Sequence, residues 1–178
     1  MTFPSRPPPS QSRPPPAFDP PSTARLAEIG LFGGFNETML TEFAQRLPIL
    51  MLGPGEVVFR EGDTGRELYV LLEGEMEVVK LAKNQRDTRV AIFGPNDWFG
   101  EMSILDVLPR SATVRTLAPS RVIKLTSHDL DALYRRDLKA YSIIVLIIAR
   151  EMSRRLRVTD GLLAELMSSL ADTYSRRP

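Results

Sequence analysis

The stretch FGEMSILDVLPRSATV, residues 99–114, decides how this chain is read. An aromatic-Gly-Glu run opens it and Arg-Ser-Ala-Thr closes it, so a carboxylate and a guanidinium stand at the two ends of one short segment. The residues between them include Ile104, Leu105, Val107 and Leu108, which are apolar enough to pack down. That pairing suits a ligand with hydroxyls on one side and an anionic phosphate on the other. Glu101 can accept hydrogen bonds from sugar hydroxyls. Arg110 can offer a planar fork to two phosphate oxygens, a contact that Lys cannot reproduce. Gly100 lets the backbone approach closely, and a short helical turn over residues 100–105 would aim amides at the anion. The competing reading is a surface ion pair of little worth, since a Glu nine residues before an Arg is common.

The whole string resembles the phosphate-binding cassette of the cyclic nucleotide-binding domain family, whose pattern is FGE, a few apolar residues, then Arg-[Ser/Thr/Ala]-Ala-[Thr/Ser]-Val. The resemblance runs from about Leu31 to Leu156 and includes the helical lead-in LFGGFNETMLTEFAQRL. It implies that cyclic AMP or cyclic GMP binds between a barrel and the cassette, and that the long helix after the barrel closes on the base. By position, Glu101 would bind the ribose 2′-hydroxyl and Arg110 the cyclic phosphate. Gly100 and Ala112 would supply amides and Ser111 a hydroxyl, with Phe99, Met102 and Ser103 completing the ligand-binding set. Ser111 occurs with either base, so the base stays open, with cyclic AMP favoured; whatever reads the base should lie on the long helix.

Working outward, residues 49–126 show a period of two punctuated by glycine. β-rich runs fall at 49–52, 57–60, 68–72, 76–81, 89–93, 112–116 and 121–125, with turn signals between them such as Gly53-Pro54-Gly55, Glu73-Gly74-Glu75 and Gly94-Pro95-Asn96-Asp97. Many short, evenly spaced strands predict a mainly β fold with flanking helices: an eight-stranded jelly-roll β-barrel with N-terminal helices, an internal cassette helix and a long C-terminal helix. Gly55, Gly62 and Gly74 fall where the resembling family keeps barrel-corner glycines, and they are expected to need positive φ.

Helices flank this region. Ser22 is placed to cap a helix at Ala24–Ile29, and Asn36 to cap a second one whose Met39, Leu40, Phe43, Ala44 and Leu47 share a face. Ser127 reads as the cap of a third. Beyond Asp137 a long helix can run to about Asp172, with Val145, Ala149, Met152, Leu156, Thr159, Leu163, Leu166 and Leu170 in heptad steps. Its first part should pack on the barrel as far as Leu156. The later leucines need a partner, and a parallel homodimer is expected. Arg154, Arg155 and Arg157 read as a solvated basic face. The apolar lever between site and helix is expected where Ile104, Leu105 or Leu108 meets the 141–146 stretch.

The domain plan is thus a Pro-rich arm at 1–21, a nucleotide-binding domain at 22–157 and a helical extension at 158–178. The arm holds nine of the fifteen prolines, with RPPP at 6–9 and 13–16, and is expected to be extended or disordered; a solubilising leader is the favoured reading, and a ligand for an aromatic groove on a partner is the other. A net charge of +1 gives no general drive toward nucleic acid. The chain has no cysteine and a single histidine, His128, which offers no metal site, catalytic triad or cofactor motif. No signal core or membrane-length apolar run is present; the most apolar stretch, 143–149, is short. A non-enzymatic cytoplasmic sensor with no cofactor, no direct nucleic-acid contact and no membrane contact is expected, signalling to a protein effector. No helix-turn-helix domain is legible after the long helix. The alternatives are a ligand-independent interaction module with a vestigial cassette, and a nucleotide-responsive regulator without its own DNA-binding domain.

Overall fold

Alternating and continuous apolar runs in the middle of the chain become eight strands, and the helical segments gather on one side of them. The computed structural model describes residues 20–82 and 86–175, so all but the end of the Pro-rich arm lies outside the described residues. In chain order come α1 (Thr23–Ala27), a 3-10 turn (Gly30–Phe32), α2 (Glu37–Arg46), β1 (Ile49–Leu52), β2 (Val57–Phe59), β3 (Glu67–Glu73), β4 (Met76–Leu81) and β5 (Asp87–Phe93). There follow β6 (Trp98–Phe99), α3 (Met102–Leu105), β7 (Thr113–Thr116), β8 (Ser120–Thr126), α4 (Ser127–Arg136) and α5 (Leu138–Ser175).

The strands do not close into the expected barrel. They form two antiparallel four-stranded sheets, ordered β1-β8-β3-β6 and β2-β7-β4-β5. Apart from the β4–β5 hairpin, every connection carries the chain from one sheet to the other, which leaves each sheet with its own edges. The glycine corners serve these crossings, and Gly55, Gly62 and Gly74 all have positive φ. At Gly74 the need is also spatial, because a Cβ there would sit 2.2 Å from Ser120 Oγ.

Burial explains the strand sequences. Tyr69, Leu71, Phe99 and Val122 of the first sheet meet Met76, Val78 and Val114 of the second, and this layer is one core. The opposite face of the first sheet, with Leu68, Val70, Leu72, Ile123 and Leu125, packs on the helices. The first sheet is therefore covered on both faces, and β3 reads Leu-Tyr-Val-Leu-Leu without alternation, all five residues buried. On the outer face of the second sheet, Glu77 is buried between Arg89 (2.6 Å) and Arg115 (2.5 Å), whose hydrogen bonds hold its carboxyl below the usual range.

The caps at Ser22 and Asn36 form as expected, accepting from the amides of Arg25 and Met39. The cap of α4 is Thr126 instead of Ser127. Thr126 still has extended backbone angles, and it exchanges bonds with Asp129 in a reciprocal capping box. α5 runs as one helix through Gly161 and is anchored by Ala140, Ile144 and Ile148, all buried. Each fully buried isoleucine is worth about 1.5–3 kcal/mol. The helix crosses so close to the Gly33-Gly34 break that a Cβ on Gly34 would lie 2.4 Å from Ile143 Cγ2. Its burial against the domain ends at Met152 and Arg155, short of Leu156; from Leu156 to Asp172 every residue is exposed.

Candidate functional site

The cassette leaves β6 at Gly100, makes the single turn α3 and returns through residues 106–109 to Arg110. Gly100 has φ +84°, and a Cβ there would stand 2.8 Å from Arg110 Nη1 and 2.9 Å from the Glu67 carbonyl oxygen. Only glycine suits both demands. The Arg110 guanidinium fills the space so preserved. Nη1 donates to the carbonyls of Glu67 (2.7 Å) and Gly100 (2.9 Å) and to Ser103 Oγ (2.7 Å), while Nη2 donates to Glu67 Oε2 (2.8 Å). The group also lies over the Phe59 ring, 4.1 Å from its centre. Its side chain is 2% exposed, and Nε has no hydrogen-bond partner among the described residues.

Glu101 is likewise buried but is neutralised differently. Its Oε1 lies 3.1 Å from Nη1 of Arg155 on α5. Arg155 also donates to the Trp98 carbonyl (2.9 Å) and to Glu151 Oε1 (2.9 Å), and it lies over the Phe93 ring. Burial pushes the Glu101 carboxyl above the usual range, and the Arg155 charge opposes that rise. Glu151 is held below it, first by Arg154 and then by Arg155. An alternating chain of charges, Glu101–Arg155–Glu151–Arg154, thus joins cassette to helix.

Between the inner face of the second sheet, the cassette and α5 lies a cavity of about 640 Å³. All eight residues expected in the site line it: Phe99, Gly100, Glu101, Met102, Ser103, Arg110, Ser111 and Ala112. Phe99 stacks between Tyr69 and Phe93, and Ala112 is buried in the core between the sheets. Ser103 holds Arg110. Ser111 is exposed; its hydroxyl donates to the Met102 sulfur (3.6 Å) and its carbonyl accepts from Lys80 Nζ (2.8 Å). The far wall comes from Val158, Thr159 and Leu162 of α5.

Three expectations change here. The cassette's apolar middle does not pack down as a unit: Ile104 joins the helix-side core, but Leu105, Val107 and Leu108 are exposed. Val107 sits at φ +58°, the left-handed region, which turns the loop outward. Of the three residues expected to form the apolar lever, only Ile104 packs toward the helix side. Arg155 leaves the solvated basic face and enters the site, and stepping along α5 from Ile144 and Ile148 puts Glu151 and Arg155 on the same face. Glu67 gave no local signal at all, because its role arises only when β3 meets Arg110.

Residues 50–137 match the family profile of the cyclic nucleotide-binding domain. The chain is 32% identical over 142 residues to the CRP-like cAMP-activated global transcriptional regulator of Mycobacterium tuberculosis, covering 80% of this chain and 62% of the relative. It therefore spans less than two thirds of that protein. Among solved structures, the catabolite activator protein of Thermus thermophilus superposes with a TM-score of 0.68 at 28% identity, covering 78% of this chain and 63% of that one. A cyclic nucleotide-binding domain from Methylobacillus flagellatus gives 0.71 at 25% identity, covering 81% and 82%. With the profile match these likenesses settle the family: the chain belongs to the cyclic nucleotide-binding domain proteins.

Proposed function

We propose that the protein is a cyclic nucleotide sensor, not an enzyme, and that it signals through α5 to a protein effector in the cytoplasm. One observation carries this reading: two buried, oppositely charged side chains, Glu101 and Arg110, open on one cavity whose outer wall is α5. In this reading Arg110 meets the cyclic phosphate and Glu101 the ribose 2′-hydroxyl. Gly100 and Ala112 amides and the Ser111 hydroxyl assist, and Thr159 stands where a base would arrive. Cyclic AMP is the favoured ligand, in keeping with the cAMP-activated relative. No described helix is long and apolar enough to cross a membrane, and no described cluster of acidic or histidine side chains could hold a metal. Calorimetric titration of the full chain with cyclic AMP and cyclic GMP tests the reading; silence with both would end it.

The eight strands, with chain crossings between two facing sheets, support a jelly-roll arrangement of two open sheets around the inter-sheet core. The output would run through a parallel dimer. Leu156, Leu163, Leu166 and Leu170 are each about half exposed or more along one side of α5, and a second copy is the simplest cover for such a stripe. Replacing Leu163 and Leu166 with Glu should yield a monomer whose melting is otherwise unchanged. Light scattering that finds the wild type monomeric at tens of micromolar would remove the dimer. Because the mycobacterial relative is a transcriptional regulator, an output on transcription is the second reading. A gel shift at low salt, with and without nucleotide, addresses it.

A further inference from the structure

Glu67 stands behind Arg110, outside the residues that line the cavity, and grips it twice. Its carbonyl accepts from Nη1 and its carboxylate from Nη2. The two contacts have different consequences. Arg110 is already aimed by neutral groups, namely the carbonyls of Glu67 and Gly100, the Ser103 hydroxyl and the Phe59 ring face. The carboxylate is not needed for orientation. What it adds is a negative charge 2.8 Å from the guanidinium. Its other oxygen, Oε1, lies 3.7 Å from Nζ of Lys124 on β8, so the carboxylate sits between two cations.

We propose that Glu67 is a built-in counter-anion to Arg110 that sets how tightly the site holds a charged ligand. The inference rests on the nucleotide reading above. In the free protein Glu67 spares the fold a buried, uncompensated cation. When a phosphate arrives it meets a guanidinium that is already neutralised, and must share it. Lys124 then gives the Glu67 carboxylate a second partner, which keeps the exchange possible. The device acts on charge, so it weakens binding of a phosphate-bearing ligand and leaves the bare nucleoside untouched. Glu67 is thus a tuning residue that never touches the ligand.

The test titrates the full chain as wild type, Glu67→Gln and Lys124→Gln, using cyclic AMP, cyclic GMP and the phosphate-free nucleosides adenosine and guanosine. Gln at position 67 keeps an acceptor for Nη2 and removes the charge. Glu67→Gln should bind the cyclic nucleotide on the order of tenfold more tightly, since a like charge within a few ångströms of the phosphate is gone. Its ligand-free form should melt lower. The nucleosides should bind wild type and variant alike, or fail alike. Lys124→Gln should bind the cyclic nucleotide about threefold more weakly, as befits a partly exposed pair. Nucleotide binding by Glu67→Gln that is unchanged or weaker than wild type overturns the proposal. So does an equal gain for nucleoside and nucleotide, which would mark a packing effect. Should Glu67→Gln fail to fold, Lys124→Gln decides alone, and unchanged affinity there refutes the exchange. A wild type that binds neither cyclic nucleotide fails the reading of the site itself, visible before any variant is made.

Discussion

The two charged ends of the cavity are equally buried and built on opposite plans. At one end, Arg110 is held by Phe59, Glu67, Gly100 and Ser103, all from the strands and the cassette, and its side chain is 2% exposed. At the other, Glu101 receives its cation from Arg155, a side chain 31% exposed on a helix with no further cover beyond it. The Arg110 end is finished before α5 arrives, whereas the Glu101 end is completed by α5. A ligand that touched only Arg110 would therefore leave the helix unaffected. One that also draws on Glu101 must alter the balance between Glu101 and Arg155, and so can favour one helix position over another by its differential affinity.

The strongest way to break this comparison is at the finished end. Arg110→Ala removes the cation that would meet the phosphate and empties a site built around it. Loss of one partner from a buried charge pair costs about 3–5 kcal/mol, so the dissociation constant for cyclic nucleotide should rise by a factor of roughly 10² to several times 10³. Calorimetry giving wild-type affinity for this variant would show that Arg110 is structural only.

A smaller effect is expected at the other end. Arg155→Ala strands a buried carboxylate, but the arginine is partly exposed, so the loss of stability should be about 1–2 kcal/mol by thermal melting, below the range for fully buried pairs. The sharper readout is hydrogen exchange over residues 138–172. In the wild type, nucleotide should change exchange there. In Arg155→Ala it should still bind, through Arg110, and leave α5 unchanged. A ligand response of α5 that survives the substitution would mean that coupling runs elsewhere, through Ile104 and the helix-side core.

The same contrast explains what could be read from the chain. The cassette was legible because its chemistry is local: Gly100, Glu101, Arg110 and Ser111 all fall within one short string. The caps at Ser22 and Asn36 were legible for the same reason, and seven strands were placed within two residues of their observed ends. β6 is only two residues long, too short to show a period. The division into two sheets was not legible, because a glycine turn reports that the chain reverses and not which sheet it joins next. Leu105, Val107 and Leu108 misled, since apolar side chains in a loop need not be buried and Val107 turns the loop away. Arg155 and Glu67 depend on meetings 54 and 43 residues apart in the chain, which no spacing rule within one element records.

The subtlest difference between the ends should appear in the response to pH. Burial raises the Glu101 carboxyl above the ordinary glutamate value, with Arg155 opposing it. A carboxyl whose folded value is raised binds its proton more readily in the folded state than in the unfolded one. Its contribution to stability is therefore full below the ordinary value and is lost as pH rises through the raised one. Glu151 behaves in the opposite sense. Its carboxyl is lowered by Arg154 and Arg155, so its contribution is present above the ordinary value and is lost as pH falls through the lowered one. Overall acid denaturation mixes the two, and only a variant separates them. Glu101→Gln abolishes the first dependence and leaves Glu151 with both of its arginines. The stability of Glu101→Gln relative to wild type should thus improve as pH rises above the ordinary glutamate value, as measured by urea unfolding at intervals from mildly acidic to neutral pH. A gap that stays constant would mean that Arg155 compensates the burial of Glu101 in full, and that the helix-built end of the site is as completely neutralised as the end built around Arg110.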